Sequence, residues 1–149
     1  MKQHSKTYDI RWADLDPYQH VRHTAYYDYC TQVRFGYFAE NGFDQKAVER
    51  LGVGPVLLRE EGRFLREVPE GDQIRIELSL LGLSPDGRRF SVRHDVYRRD
   101  GVKAAVVDID GGWLDVKRRR FGEPVPEMVE LLAALEHAAD YSPLPDVGS

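Results

Sequence analysis

Hydrophobic and polar residues change their spacing along this chain, and the changes divide it into elements. Tyr8-Asp9-Ile10-Arg11-Trp12 alternates apolar with polar residues, which predicts a short strand with one buried face. From Thr24 to about Glu40 there is no proline. Apolar residues there fall on nearly every side (Ala25, Tyr26, Tyr29, Cys30, Val33, Tyr37, Phe38), and charge is confined to Asp28, Arg34 and Glu40. A helix apolar most of the way round is a buried one, and Asn41-Gly42 supplies its stop. Phe43 to Leu51 predicts a second, short helix, closed by Gly52 and Gly54.

Beyond that point the period is two. Pro55 to Val68 predicts one strand, ending at Pro69-Glu70-Gly71-Asp72. Ile74, Ile76, Leu78 and Leu80 then share one face of the next strand. Ser84-Pro85-Asp86-Gly87 is a turn, followed by Phe90, Val92, His94 and Val96 in alternation. Arg99-Asp100-Gly101 predicts a tight hairpin of type I′, which Asp-Gly favours. Val102 to Val116 is the last strand, with a bulge or bend expected at Gly111-Gly112. Pro124-Val125-Pro126 opens a terminal amphipathic helix holding Val129, Leu132 and Leu135, and residues 141–149 read as a frayed, flexible tail. This order predicts an α+β fold, a five-stranded antiparallel sheet wrapped around one long central helix. With no repeat, linker or boundary, a single domain over 1–149 is expected, its core at about 5–138. An open sheet leaves edges and a broad outer face, so copies are expected to associate as a homodimer or a dimer of dimers.

Composition narrows the class. Of 149 residues, 42% are hydrophobic and 31% charged, ordinary values for a globular chain with a real core. The net charge of −4 gives no overall basic field to draw in nucleic acid. Basic residues do cluster locally, at Arg88-Arg89, Arg98-Arg99 and Lys117-Arg118-Arg119-Arg120. These are either solvated strand ends or a phosphate-binding rim for a nucleotide-bearing substrate, because arginine forks match phosphate oxygens. Cys30 is the single cysteine, which excludes an intrachain disulfide, and its apolar surroundings predict a buried, inert thiol. No apolar run approaches the ~18 residues that span a bilayer, and Met1 to Lys6 contains no apolar signal core. A cytoplasmic protein without membrane contact is expected.

Candidate chemistry is concentrated between the first strand and the long helix, in Asp14-Leu15-Asp16-Pro17-Tyr18-Gln19-His20-Val21-Arg22-His23. Pro17 fixes its own φ and pushes Asp16 towards an extended conformation. A carboxylate at such a turn acts as general base or attacks a carbonyl directly; it is also an ordinary turn residue. The helix that follows directs free N–H groups, around His23 and Thr24, and its positive dipole end at the same place, as an oxyanion site would. Asp14 reads as an aspartate bonding turn N–H groups. His20 orients a water, steadies Asp16 or bonds a backbone carbonyl; His23 caps the helix or lines a cleft entrance. Two carboxylates and two imidazoles also suit Zn or Fe, but no His-x-x-x-His or cysteine pair adds to them, and no metal is assigned. His94 reads as a core or interface histidine. Tyr26, Tyr27 and Tyr29 either line an aryl or acyl pocket or belong to the core. Phosphate loops, dinucleotide fingerprints and serine elbows are absent from the sequence.

The run Ala13-Asp14-Leu15-Asp16-Pro17-Tyr18-Gln19-His20-Val21-Arg22-His23-Thr24-Ala25-Tyr26 resembles the active-site segment of hotdog-fold thioesterases. It is similar to the 4-hydroxybenzoyl-CoA thioesterase branch with its related bacterial acyl-CoA thioesterases, and to plant acyl-ACP thioesterases. The resemblance covers about residues 5–138. It implies hydrolysis of an acyl-CoA or acyl-ACP thioester, with coenzyme A entering only as part of the substrate and no cofactor. By position, Asp16 matches the nucleophile or base of the first branch and the His23 backbone N–H its oxyanion donor. His20 matches the histidine of the plant arrangement. Tyr18 stands where the plant type has asparagine, Gln19 where many bacterial members have glycine, and Arg22-His23 replaces Asn-Asn. Tyr18, Arg22 and Tyr26 are then expected at the substrate, and Arg118, Arg119 and Arg120 at the phosphates of CoA. The alternatives are a non-catalytic acyl-CoA or acyl-carrier binding module that keeps the fold and, after it, a hotdog hydratase.

Overall fold

The computed structural model describes residues 1–147. Strand β1 (His4–Asp9) passes through a single 3-10 turn (Trp12–Asp14) and a loop into the long helix α1 (His23–Glu40) and the short helix α2 (Gln45–Leu51). Then come β2 (Val53–Phe64), β3 (Gln73–Leu83), β4 (Phe90–Arg98), β5 (Lys103–Asp115), a two-residue β6 (Arg120–Phe121) and α3 (Pro126–Ala134). The pairings between these strands are antiparallel, in the order β1-β3-β4-β5-β2. The expected five strands are therefore joined by a sixth. β6 bonds to Leu114 and Asp115 of β5, taking up the line of β4 where β4 has ended. Among the described residues the sheet does not close, and β2 has a neighbour on one side only.

Period two places Ile74, Ile76, Leu78 and Leu80 of β3 on the inner face, all buried, where they meet Val92 and Val96 of β4 and α1 in one core. On α1, Ala25, Tyr29, Val33 and Tyr37, with Tyr26, Cys30, Arg34 and Phe38 beside them, form a buried face at i, i+4 spacing. The helix is not covered all round as its apolar content suggested. Thr24, Asp28, Gln32, Phe35 and Ala39 are exposed, because one curled sheet covers only one side. Burial pushes the Cys30 thiol up to about 12, so it is an inert core group. Arg34 is 6% exposed and turns its Nη1 to Nε2 of fully buried His94 at 3.2 Å. His94 Nδ1 lies 2.8 Å from the Val107 carbonyl, which can only accept, so Nδ1 carries the hydrogen and Nε2 accepts from Arg34. Burial, helped by the Arg34 charge, lowers His94 to about 3 and keeps it neutral.

Several boundaries differ from expectation, each for a local reason. The first strand lies earlier than Tyr8–Trp12 because Arg11 to Asp14 tightens into the 3-10 turn. β2 ends at Phe64 rather than Val68: the N–H groups of Leu65 and Arg66 both turn to the Ala104 carbonyl, and the chain leaves the sheet. The hairpin at Arg99-Asp100-Gly101 is not type I′, since Gly101 alone in it has positive φ (85°). The bonds Gly101 N–H to Arg98 O and Arg98 N–H to Val102 O make it a three-residue loop with a left-handed glycine. The irregularity near Gly111 sits on the opposite strand, between Leu57 and Arg59 of β2. Gly111 itself is required by the Phe90 ring, which a Cβ there would overlap. Gly111→Ala is expected to cost about 1–3 kcal/mol, read as a lower denaturation midpoint.

Residues 141–147, expected to fray, run beside β3. Ser142 and Leu144 N–H groups bond to Leu81 and Leu83 carbonyls, on the stretch of β3 that β1 does not reach. The remainder of the expected tail, 148–149, lies outside the described residues. Among the described residues no helix is long and apolar enough to cross a membrane.

Candidate functional site

The loop from Asp14 to His23 is held by backbone bonds together with the side chains of its two aspartates. Asp16 N–H bonds to His20 O at 2.7 Å and Gln19 N–H to Asp16 O at 3.0 Å, with Gln19 in the left-handed region at φ 67°. The Asp16 carboxylate accepts from the N–H groups of Tyr18 (2.9 Å) and His20 (3.1 Å), both through Oδ1. This is an Asx turn, and it fixes the carboxylate while no described bond occupies Oδ2. The loop is then stitched to the chain leaving β2: Val21 N–H to Val68 O at 2.9 Å, and Glu70 N–H to Gln19 O at 3.1 Å.

Asp14 is the anchor beneath this loop, a stronger role than the turn bonding expected of it. It is 1% exposed and accepts from Arg11 Nε and Nη2 (2.8 Å each), Arg22 Nη1 (3.2 Å) and the Tyr29 hydroxyl (2.6 Å). The Arg11 hydrogen bonds are the main reason its carboxyl lies below the usual range. Every described acceptor site on Asp14 is thus engaged by protein, whereas Asp16 faces open space.

That space is a cleft of about 300 Å³. Asp16, His20, His23 and Tyr26 form one wall, and Phe64, Leu65, Arg66 and Glu67, where the chain leaves β2, form the other. His23 is the first residue of α1. Its N-cap, Arg22, makes no side-chain cap bond; Ala25 N–H bonds to Arg22 O at 3.0 Å, and no described bond takes the N–H groups of His23 and Thr24. The His23 ring packs edge-on against Phe64 at 6.3 Å, and Tyr26 packs against the same ring at 5.4 Å. His20 lines the cleft, but its Nε2 meets Glu67 Oε2 at 2.6 Å rather than Asp16. A larger groove of about 580 Å³ between α1 and α2 is lined by Phe35, Phe38 and Phe43, and its carboxylate, Asp44, caps α2 by accepting from Ala47 N–H.

The other expected substrate residues lie elsewhere. Tyr18 is 79% exposed outside the cleft, and Arg22 is committed to Asp14 and the Ala13 carbonyl. Arg118, Arg119 and Arg120 are exposed at the turn after β5, where Asp115 Oδ1 accepts the Arg118 N–H. That turn adjoins the start of β2, since Val53 pairs with Asp115, while the cleft lies at the other end, where Phe64 pairs with Ala105. Eleven residues of strand, at most roughly 36 Å of chain, separate them. Arg88 pairs with Glu123, Arg98 with Asp100 and Arg99 with Asp72, as solvated strand ends do. Among the described residues no three of His, Cys, Asp and Glu gather as a metal set. Phe64 to Glu67 had no signal in the sequence, because that stretch reads only as the end of a strand.

A family model described as the Thioesterase-like superfamily matches residues 10–135. The chain belongs to this superfamily. Similar solved structures include a hypothetical protein of Staphylococcus aureus in complex with CoA, at TM-score 0.81 and 18% identity, covering 89% of this chain and 82% of that one. A 1,4-dihydroxy-2-naphthoyl-CoA thioesterase from Synechocystis matches at TM-score 0.78 and 12% identity, over 92% and 100% of the two chains. A DHNA-CoA thioesterase from Staphylococcus aureus matches at TM-score 0.78 and 13% identity, over 89% and 90%. No curated protein matches the sequence. At these identities the structural likeness is one of fold, and that fold is the hotdog, here with an open six-stranded sheet.

Proposed function

We propose that this chain is an acyl-CoA thioesterase, hydrolysing the thioester to free acid and thiol. The observation that carries the reading is Asp16, fixed through one oxygen by backbone N–H groups and set in a cleft at the uncapped start of α1. Asp16 is the general base or nucleophile. The His23 backbone N–H faces the oxygen on which charge develops when the carbonyl carbon is attacked, and the helix dipole adds to it. His20 is a supporting group: its contact with Glu67 joins the two walls of the cleft. Superfamily membership and likeness to two CoA thioesterases and a CoA complex support a CoA thioester over a simple ester. An acyl carrier protein is the second possible donor of the same acyl group.

Two chains are the proposed working unit. The open edge of β2, with Leu57, Leu58 and Phe64 exposed along it, suits pairing with a second copy. A partner is also the route by which Arg118 to Arg120 would approach CoA phosphates at a cleft beyond their reach in one chain.

Thiol release measured over a panel of acyl-CoAs of increasing length and of aryl-CoAs tests the reading. Steady turnover of at least one of them is expected. Tight binding of the panel with no thiol released would replace the enzyme by a non-catalytic acyl-CoA binding module. Loss of an enoyl-CoA double bond without thiol release would point to a hydratase.

A further inference from the structure

α1 buries three tyrosines that differ in what their hydroxyls do. Tyr29 donates to Asp14 at 2.6 Å, and Tyr37 donates to the Leu131 carbonyl at 2.5 Å. Tyr26 is 4% exposed, yet its hydroxyl has no hydrogen-bond partner among the described residues. It is not one of the sealed, partnerless side-chain atoms either, which are His4 Nε2 and Ser79 Oγ. The little of Tyr26 that is open therefore includes its oxygen, and Tyr26 lines the same cleft as Asp16. Phe64 holds the ring from the other wall.

Asp16 stands close enough for its charge to act on this phenol: together with burial, the larger cause, it pushes Tyr26 up to about 12. The phenol therefore keeps its proton at neutral pH and is a donor. No direct bond joins the two groups, and the Asp16 oxygen that is bonded, Oδ1, is filled by backbone N–H groups. A carboxylate and a phenol thus line one small cleft with no bond between them. A water molecule between them would satisfy both.

We infer that the Tyr26 hydroxyl is a further catalytic group, which holds the water that Asp16 activates as general base. This rests on the thioesterase reading. The water gives one hydrogen bond to Asp16 and takes one from Tyr26, which leaves its second lone pair for the thioester carbon. As its oxygen bonds to that carbon, its proton passes to Asp16 and the carbonyl electron pair moves onto the oxygen facing His23 N–H. Collapse reforms the carbonyl and breaks the C–S bond, and the departing thiolate takes the proton from Asp16. One water and one thioester become one carboxylic acid and one thiol.

Tyr26→Phe keeps the ring against Phe64 and removes only the hydroxyl. On the best acyl-CoA of the panel, kcat should fall about 10- to 100-fold, as a mispositioned nucleophile requires. KM should stay within about threefold, since bound substrate does not use this bond. The melting midpoint should be unchanged. In the Asp16→Asn background, Tyr26→Phe should cost nothing more, because both groups act on the same water. A kcat within about threefold of wild type overturns the inference; so does a rise in KM equal to the loss in kcat/KM, full additivity with Asp16→Asn, or a variant that fails to fold. In each of these cases wild-type turnover still stands and with it the thioesterase reading. A wild-type protein that releases no thiol overturns both.

Discussion

Asp16→Asn is expected to lower thiol release by about 10³-fold, within the range that a positioned general base contributes, and to leave the melting curve where it was. The two effects separate because Asp16 does two things with different oxygens. Its Oδ1 accepts the Tyr18 and His20 N–H groups that shape the turn, and an asparagine carbonyl accepts the same bonds in the same place. The oxygen left for chemistry becomes an amide NH2, which neither removes a proton nor attacks a carbonyl. Thiol release under saturating acyl-CoA, with a thermal melt on the same sample, reads both. Turnover equal to wild type would remove Asp16 from the reaction; lost turnover with a lowered melt would make it a structural residue.

Asp14→Ala should do the opposite. It removes the acceptor of the buried Tyr29 hydroxyl and of Arg22 and Arg11. Arg11 is 69% exposed, so its own ion pair adds little. The cost comes from the phenol left without a partner and from the guanidinium of Arg22, about 2–3 kcal/mol, or roughly 5–10 °C in Tm for a chain of this size. The wild-type pH dependence follows from the same contacts. The folded Asp14 pKa lies below its ordinary value, chiefly through Arg11. Its stabilisation is therefore complete above that ordinary value and is lost as pH falls through the folded one. Melts between about pH 2 and pH 7 should show acid destabilisation in wild type that is smaller in Asp14→Ala. Identical acid limbs would show that other carboxylates carry it.

How much of this was legible in the sequence depends on the distance along the chain over which each feature is decided. The change of period, the stop at Asn41-Gly42 and the inward row from Ile74 to Leu80 are set within a few residues, and they appear as expected. Asp16 and the start of α1 lie seven residues apart, so their meeting could be read from sequence. The second wall of the cleft could not be. Phe64 to Glu67 arrive through a bridge between His20 and Pro69, two turn-like segments that carry no sign of pairing with each other. Arg22 read as a cleft residue and is an anchor for Asp14, because the partner that holds it is eight residues back and fully enclosed. Arg34 gave no sign of being buried. Its neutral partner His94 lies on a strand sixty residues away, and only the packing of α1 on the sheet brings them together.

β2 has an open edge along its length, and where it ends the chain becomes both the far wall of the cleft and the clamp on the Asp16 loop. Between that edge and the carboxylate lie main-chain hydrogen bonds, the contact of His20 with Glu67 and the Phe64 ring packed on His23 and Tyr26. The strand is in effect a lever with the reaction centre on its short arm. A second copy gripping the outside of β2 would therefore act on the same short stretch of chain that holds the Asp16 loop.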